Sequence, residues 1–276
     1  MGEISIRNMG TKSMFFIILR VAIRLLFGRK RCDRIIYQLG WRGKDRLLGD
    51  KAIRNFVFSF SRALHTTAFL TILPLEQEVS KTLKKLKGKL FVDIGANLGF
   101  YSLLLHNNFD QVIAIEPHPA NMAELKQNLK SCAVNNVVCV ENAVSNENRR
   151  TVRLFIGEHD ANHSLISCHE KMPLERDFVL VETVTLAKLL SSLSIKTTFK
   201  FIDLVKVDVE GAEWLVLAGA EPIVDKILAW VVELHSQALQ EKKQIELWFE
   251  SHNYRWRWLD QNHIFAFRAP RANINR

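Results

Sequence analysis

Residues 91–102, Phe91-Val-Asp93-Ile-Gly95-Ala-Asn97-Leu-Gly99-Phe-Tyr101-Ser102, hold the pattern most able to bind a ligand. A buried strand that ends in an acid and bends through glycines into a helix lets backbone approach a bound molecule and aims helix N–H groups at it. Such a bend suits a nucleotide-like molecule. A G-x-G-x-x-G dinucleotide loop would put glycine at positions 95, 97 and 100, but Asn97 and Phe100 occupy the last two, which disfavours hydride transfer. A second run, Val112-Ile-Ala-Ile-Glu116-Pro117, ends in a carboxylate 23 residues after Asp93. An acid there can accept hydrogen bonds from both hydroxyls of a ribose. Glu116 alone would read as an exposed strand-end charge; its spacing from the glycine bend is what raises it. Asn142, in Glu141-Asn-Ala-Val-Ser145, is placed to flank an adenine ring. The cofactor-site residues expected on this reading are Asp93, Gly95, Asn97, Gly99, Tyr101, Glu116 and Asn142.

A second group offers acid–base chemistry: Asp208, Glu210 and Glu213 follow one apolar run, and Glu233 and His235 follow the next. His235 is the side chain most naturally poised near neutral pH, so it is the first candidate for a general base, with Asp208 or Glu233 orienting it. A lone histidine at a strand end is more often structural. Carboxylates also favour helix N-termini; Glu213 is expected to do that structural work and Asp208 to face the pocket. A metal set of His159, His163, Asp208 and Glu210 has no diagnostic spacing, and no metal is assigned.

These residues need a scaffold that brings strand ends to one rim. Apolar runs at Leu90–Ile94, Gln111–Ile115, Asn136–Val140, Phe201–Val207, Trp230–Leu234, Tyr254–Trp258 and Ile264–Phe267 read as strands. Met122, Leu125 and Leu129 fall at helical spacing behind Pro119, which suits a first helical position. Strands alternating with helices predict an α/β fold, a mostly parallel sheet covered on both faces. Thr151–Ile156 and Phe178–Val184 read as extra strands inserted before Phe201. The short link Asp260-Gln-Asn262 predicts an antiparallel hairpin at the sheet edge. The polar insertion 157–165 is a candidate substrate lid; its Asn162-His-Ser164 sequon reads as chance.

The chain has 276 residues, 48% of them hydrophobic, enough to bury a core without disulfides. Its four cysteines lack paired ligand spacing, which fits a reducing, cytoplasmic setting. Residues 1–62 carry 14 basic and 4 acidic groups, a net of +10, and the rest carries 24 and 25, a net of −1. Within this arm, residues 14–27 are apolar but too short to span hydrocarbon, and Arg20 and Arg24 interrupt them. Two readings stay open: an amphipathic helix on the anionic inner membrane face, or a helix packed on the main domain.

The pieces Asp93-Ile-Gly-Ala-Asn-Leu-Gly99, Glu116-Pro117, Asn142-Ala-Val-Ser145, Val184-Thr-Leu186, Lys206-Val-Asp-Val-Glu-Gly-Ala-Glu213 and Glu233-Leu-His235 together resemble the class I S-adenosylmethionine-dependent methyltransferases, and within them the FkbM type. The resemblance covers roughly residues 74–267. It implies a Rossmann-like, seven-stranded sheet with a reversed last hairpin, S-adenosyl-L-methionine as cofactor on Asp93, Gly95 and Glu116, and methylation of a hydroxyl on a sugar, glycolipid or other small metabolite. It places a methyltransferase domain at 74–276 behind a basic helical region at 1–73. Ala187 stands where the family usually has an acid after Thr-Leu. Two rivals remain: an RNA methyltransferase using the basic arm, against which no Pro-Pro-Tyr loop or Pro-Cys nucleophile is present, and a non-catalytic module that binds the cofactor.

Overall fold

A computed structural model describes residues 77–156, 177–193, 199–235 and 239–268. From Glu78 onward they lie in one compact unit. The arm, its segment 14–27, and the insertion with His159 and His163 lie outside the described residues, as does the expected domain boundary at 73/74. Among the described residues no helix is long and apolar enough to cross a membrane.

The first described element is a short helix, α1 (Gln77–Leu83), and the sheet begins at β1 (Gly88–Ile94). β1 is flanked in parallel by β2 (Phe109–Ile115) and β7 (Leu204–Val207), with β3 (Val137–Val140) outside β2 and β8 (Ala229–Glu233) outside β7. The inner strands are mostly apolar because helices cover both faces, so little alternation survives; buried Asp93 and Lys206 are exceptions. Phe91, Val92, Val112–Ile115 and Val205 are fully buried. β10 (His263–Phe267) runs antiparallel between β8 and β9 (Arg255–Trp258), giving the order β3-β2-β1-β7-β8-β10-β9. This is the expected seven-stranded, mostly parallel sheet with its terminal hairpin. The order reverses between β1 and β7, and there the carboxyl ends of the strands open a crevice.

Helix α2 (Phe100–Leu105) follows β1, and α3 (Pro119–Ser131) follows β2 with Pro119 at its start and Met122, Leu125 and Leu129 buried, in keeping with their spacing. Thr151–Phe155 (β5) and Phe178–Val184 (β6) do not enter the main sheet. They pair antiparallel with each other, and β6 pairs in parallel with a two-residue strand β4 (Ala143–Val144), in a separate three-stranded sheet. β4 is too short to leave a periodic signal. Helix α4 (Leu186–Ser192) is capped by Thr185, whose hydroxyl accepts from the Lys188 N–H at 3.2 Å. That cap does not need an acid at Ala187. Helices α5 (Glu213–Ala220) and α6 (Leu239–Ser251) complete the unit.

Candidate active site

The bend after β1 is wedged between two strand ends. The N–H groups of Gly95 and Ala96 both donate to the Ile115 carbonyl at 2.9 Å, and the Asp208 N–H donates to Ile94 at 3.0 Å. Gly95 has φ +77, and a Cβ there would lie 1.7 Å from the Asp208 carbonyl oxygen. Glycine at 95 is therefore required by the protein's own backbone, not only by an approaching ligand. Gly99, with φ +92, backs onto Leu125 of α3.

Glu116 follows β2 and is 4% exposed. Its Oε2 accepts from the Asn97 N–H and its Oε1 from the His118 N–H, both at 2.9 Å, with the Asn121 amide 3.5 Å away. Asn97 turns its N–H toward Glu116 from a left-handed conformation with φ 49. Burial pushes the Glu116 carboxyl up to about 7, against the opposing pull of the two N–H donors. Oε2 keeps a further lone pair for an incoming hydroxyl, and Oε1 has only the long Asn121 contact to give up for a second.

A cavity opens over Glu116. Gly95, Asn97, Asn121, Asn142, Asp208 and Glu210 form its polar wall, and Ile94, Ile115, Ala143, Val144, Leu154 and Val209 its apolar one. Of the expected cofactor residues, Gly95, Asn97, Glu116 and Asn142 line it. Asp93, Gly99 and Tyr101 stand behind the wall. Asp93 is 1% exposed because it lies within β1, not at its tip; its Oδ2 accepts from the Ser102 hydroxyl at 2.6 Å, and its Oδ1 has no hydrogen-bond partner among the described residues. Burial raises its carboxyl above the ordinary range, with Lys206 and Ser102 opposing. Lys206 pairs with Asp93 across the β1–β7 register and is 2% exposed; its ammonium donates to Asp208 Oδ2 at 2.8 Å and sits 4.6 Å from the centre of the Tyr101 ring. Asn142 donates to the Glu182 carbonyl at 3.2 Å, which ties the cavity to β6.

Beyond Asp208 the second group assembles around His235. Its Nδ1 is 2.8 Å from Glu213 Oε1; its Nε2 is 3.1 Å from Glu210 Oε2, 3.8 Å from Asp208 Oδ1 and 3.9 Å from Glu233 Oε1. Asp208, Glu233 and His235 each bring one ligand-type atom within 4.8 Å of the others. Both ring nitrogens already face carboxylates, which only accept when ionised, so the ring meets them as a donor. Burial disfavours its charge, but the hydrogen bonds to Glu210 and Glu213 and the surrounding carboxylates outweigh this and push His235 up to about 11. It is an imidazolium at neutral pH. The base role read from its ordinary pKa does not fit that charge state. Burial also acts on Asp208, yet Lys206 and His235 hold its carboxyl below the usual range, whereas burial leaves Glu210 raised. Glu213, the first residue of α5, accepts from the Gly211 N–H at 2.9 Å as well as facing His235.

Two participants were not singled out from the sequence: Asn121 is a first-turn residue of α3, and Lys206 reads as one charge in an apolar strand. Ala187 does not line the cavity.

The sequence matches the Methyltransferase FkbM domain family over residues 93–256. Methyltransferase 1 of Beauveria bassiana (strain ARSEF 2860) is 27% identical over 162 residues, which cover 52% of this chain and 63% of that protein, so the chain spans under two thirds of its relative's length. Among solved structures, methyltransferase FkbM from Methylobacillus flagellatus KT superposes with a TM-score of 0.44 at 16% identity, covering 79% of this chain and 55% of that one. A precorrin-6y C5,15-methyltransferase from Geobacter metallireducens GS-15 superposes with a TM-score of 0.42 at 14% identity, covering 69% and 86%.

Proposed function

Since this chain belongs to the FkbM methyltransferase family, we propose that it transfers a methyl group from S-adenosylmethionine to a hydroxyl oxygen of a sugar, glycolipid or other small metabolite. The donor set of the cavity suits the adenosyl half of that cofactor. Glu116 has the lone pairs to hold a ribose diol, Asn142 and Asn121 offer amides, and Ile115, Val144 and Leu154 offer apolar surface for a flat base. When bound, S-adenosylmethionine supplies a methyl group made electrophilic by its sulfonium charge.

The chain's own part is alignment, exclusion of water and handling of one proton. A hydroxyl becomes a competent nucleophile as its proton leaves, so an acceptor site is needed beside it. Glu210 serves best: it lines the cavity, burial raises its proton affinity, and its Oε2 lies against His235 Nε2. His235 acts as a cation that draws Glu210, Glu213, Asp208 and Glu233 into one cluster and offsets part of their mutual repulsion, which still helps to raise Glu210. Asp208, kept anionic by Lys206, puts a negative charge on the cavity wall that favours a cationic donor.

The observation that carries the reading is the meeting, at one cavity, of the buried diol-accepting carboxylate Glu116 and the acid cluster of His235. The test is transfer of labelled methyl groups into lipid, polysaccharide, small-molecule and RNA fractions, with Glu116→Gln as control. Label in a hydroxyl-bearing lipid, glycan or metabolite supports the reading, and label in RNA alone overturns it. The basic arm is proposed to hold the enzyme at an anionic membrane surface, which salt-resistant binding to phosphatidylglycerol vesicles would support and equal binding to neutral vesicles would refute.

A further inference from the structure

The β9–β10 hairpin brings a second acid–base pair to the back of the site. In the β8–β10 register His263 stands directly opposite Glu233, where cross-strand side chains are close neighbours. A one-residue slip would turn His263 to the other face. His263 is 3% exposed. Its Nδ1 lies 3.0 Å from both oxygens of Asp260, and its Nε2 lies 3.3 Å from Glu233 Oε2, at ion-pair distance but off the line of a hydrogen bond. Asp260 in turn accepts from the N–H groups of Asn262 and His263 at 2.9 and 2.8 Å, and its side chain is 31% exposed. Burial opposes its charge, yet those N–H groups and the His263 ring hold its carboxyl below the usual range.

We infer that Asp260 and His263 form a proton outlet for the methyl transfer, leading from the His235 cluster through the hairpin to solvent. An anionic Asp260 fixes the proton of His263 on Nδ1, as the acid of an acid–histidine pair does. Nε2 then faces Glu233 with a lone pair. Glu210 lies 3.1 Å from His235 Nε2, with Asp208 and Glu233 at 3.8 and 3.9 Å, so with a small swing of the side chains a proton taken at Glu210 on the cavity wall exchanges through that nitrogen to Glu233. From Glu233 Oε2 it passes to His263 Nε2, the Nδ1 proton passes to Asp260, and Asp260 releases it to water; the ring is left as its Nε2–H tautomer and returns to Nδ1–H by proton exchange with water between turnovers. One O–H bond of the acceptor is broken and one proton leaves; no redox partner is involved. The groups facing His263 are Asp260 from the turn and Glu233 from β8, with the Asp208 charge felt from the end of β7. His263 and Asp260 are positioning residues, since neither lines the cavity.

The inference rests on the proposed hydroxyl methylation, and its test separates the two. Histidine ring nitrogen signals are followed by NMR from pH 5 to 10 in the full chain, wild type and Asp260→Asn. The outlet predicts an Nδ1–H tautomer for His263, a His235 ring that stays protonated across this range, and in Asp260→Asn a fall of about one pH unit or more in the His263 midpoint with a change carried to the His235 nitrogen shifts. A His263 ring that ignores Asp260→Asn, or a change that stops short of His235, overturns it whether or not any acceptor is methylated. With 4-nitrophenyl glucoside as hydroxyl probe, His263→Gln is expected to lower kcat about tenfold or more, leave KM for S-adenosylmethionine unchanged, and shift the acid limb of the pH–rate profile. Loss of probe turnover in wild type, with the NMR coupling intact, counts against the acceptor class and not against the outlet.

Discussion

Replacing Glu116 by Gln should flatten the pH dependence of folding stability while removing the pH dependence of donor binding. The folded-state carboxyl is raised from 4.5 to about 7, with burial as the main cause. Below pH 4.5 the folded and unfolded chains are both protonated and the group is neutral to stability. Between 4.5 and about 7 the unfolded chain gives up its proton and the folded chain keeps it, so stability falls as pH rises. Above about 7 the full penalty is present. At about 1.4 kcal/mol for each pH unit separating the folded from the unfolded value, that penalty comes to about 3 kcal/mol. Gln carries no such penalty, but its amide nitrogen cannot accept from both Asn97 and His118. One N–H goes unsatisfied, which costs about 1–3 kcal/mol at every pH.

The two effects separate on the pH axis. Urea unfolding at pH 5 should find the variant less stable than wild type, and at pH 8 the deficit should vanish or reverse. Calorimetric titration with S-adenosylhomocysteine should show wild-type affinity falling about tenfold per pH unit below pH 7, where Glu116 must first ionise to accept a diol, and weak, pH-independent binding in Glu116→Gln. Parallel stability curves for the two chains, or an unchanged dissociation constant in the variant, would refute the reasoning from burial.

Gly95→Ala should prevent folding or lower stability by about 3 kcal/mol or more, since its Cβ would meet the Asp208 backbone at 1.7 Å; a near-native urea midpoint would show that β1 and β7 can part at no cost. Lys206→Met should cost about 3 kcal/mol or more, because Asp208 loses its buried partner, and denaturation at neutral pH measures it. His235→Gln should be most destabilising below pH 6.5, where the charged ring lends its full support. That support is lost as pH rises toward about 11, so urea midpoints at pH 6 and pH 10 should differ from wild type by a shrinking margin. Tyr254→Phe should cost about 1 kcal/mol, as the hydroxyl lies 2.9 and 2.7 Å from the Val224 and Ile227 carbonyls; an unchanged thermal midpoint would show that neither bond matters.

The parallel sheet was legible because buried strands such as Phe91–Ile94 and Leu204–Val207 are apolar but for one charged residue each, Asp93 and Lys206, and stand between helical patterns. β4 was not, since two residues carry no period, and with it went the recognition that β5 and β6 form a sheet of their own. The residues of the cavity were legible where they end a strand or form its bend, as Glu116, Asn97 and Gly95 do. Asp93 and Tyr101 share that segment yet lie behind the wall, because side chains on successive positions of a strand or helix point different ways.

What the sequence determined by itself was the set of elements and the carboxylates at their ends, because periodicity and turn chemistry act over a few neighbouring residues. The charge state of those groups was decided only by the tertiary structure. His235 reads as a neutral-pH base in isolation and becomes a lasting cation once Glu210, Glu213, Asp208 and Glu233 converge on it, and Glu116 holds its proton longer once water is removed. A pKa depends on every charge and dipole within several ångströms, and the strand order and register that fix those distances are properties of the whole fold.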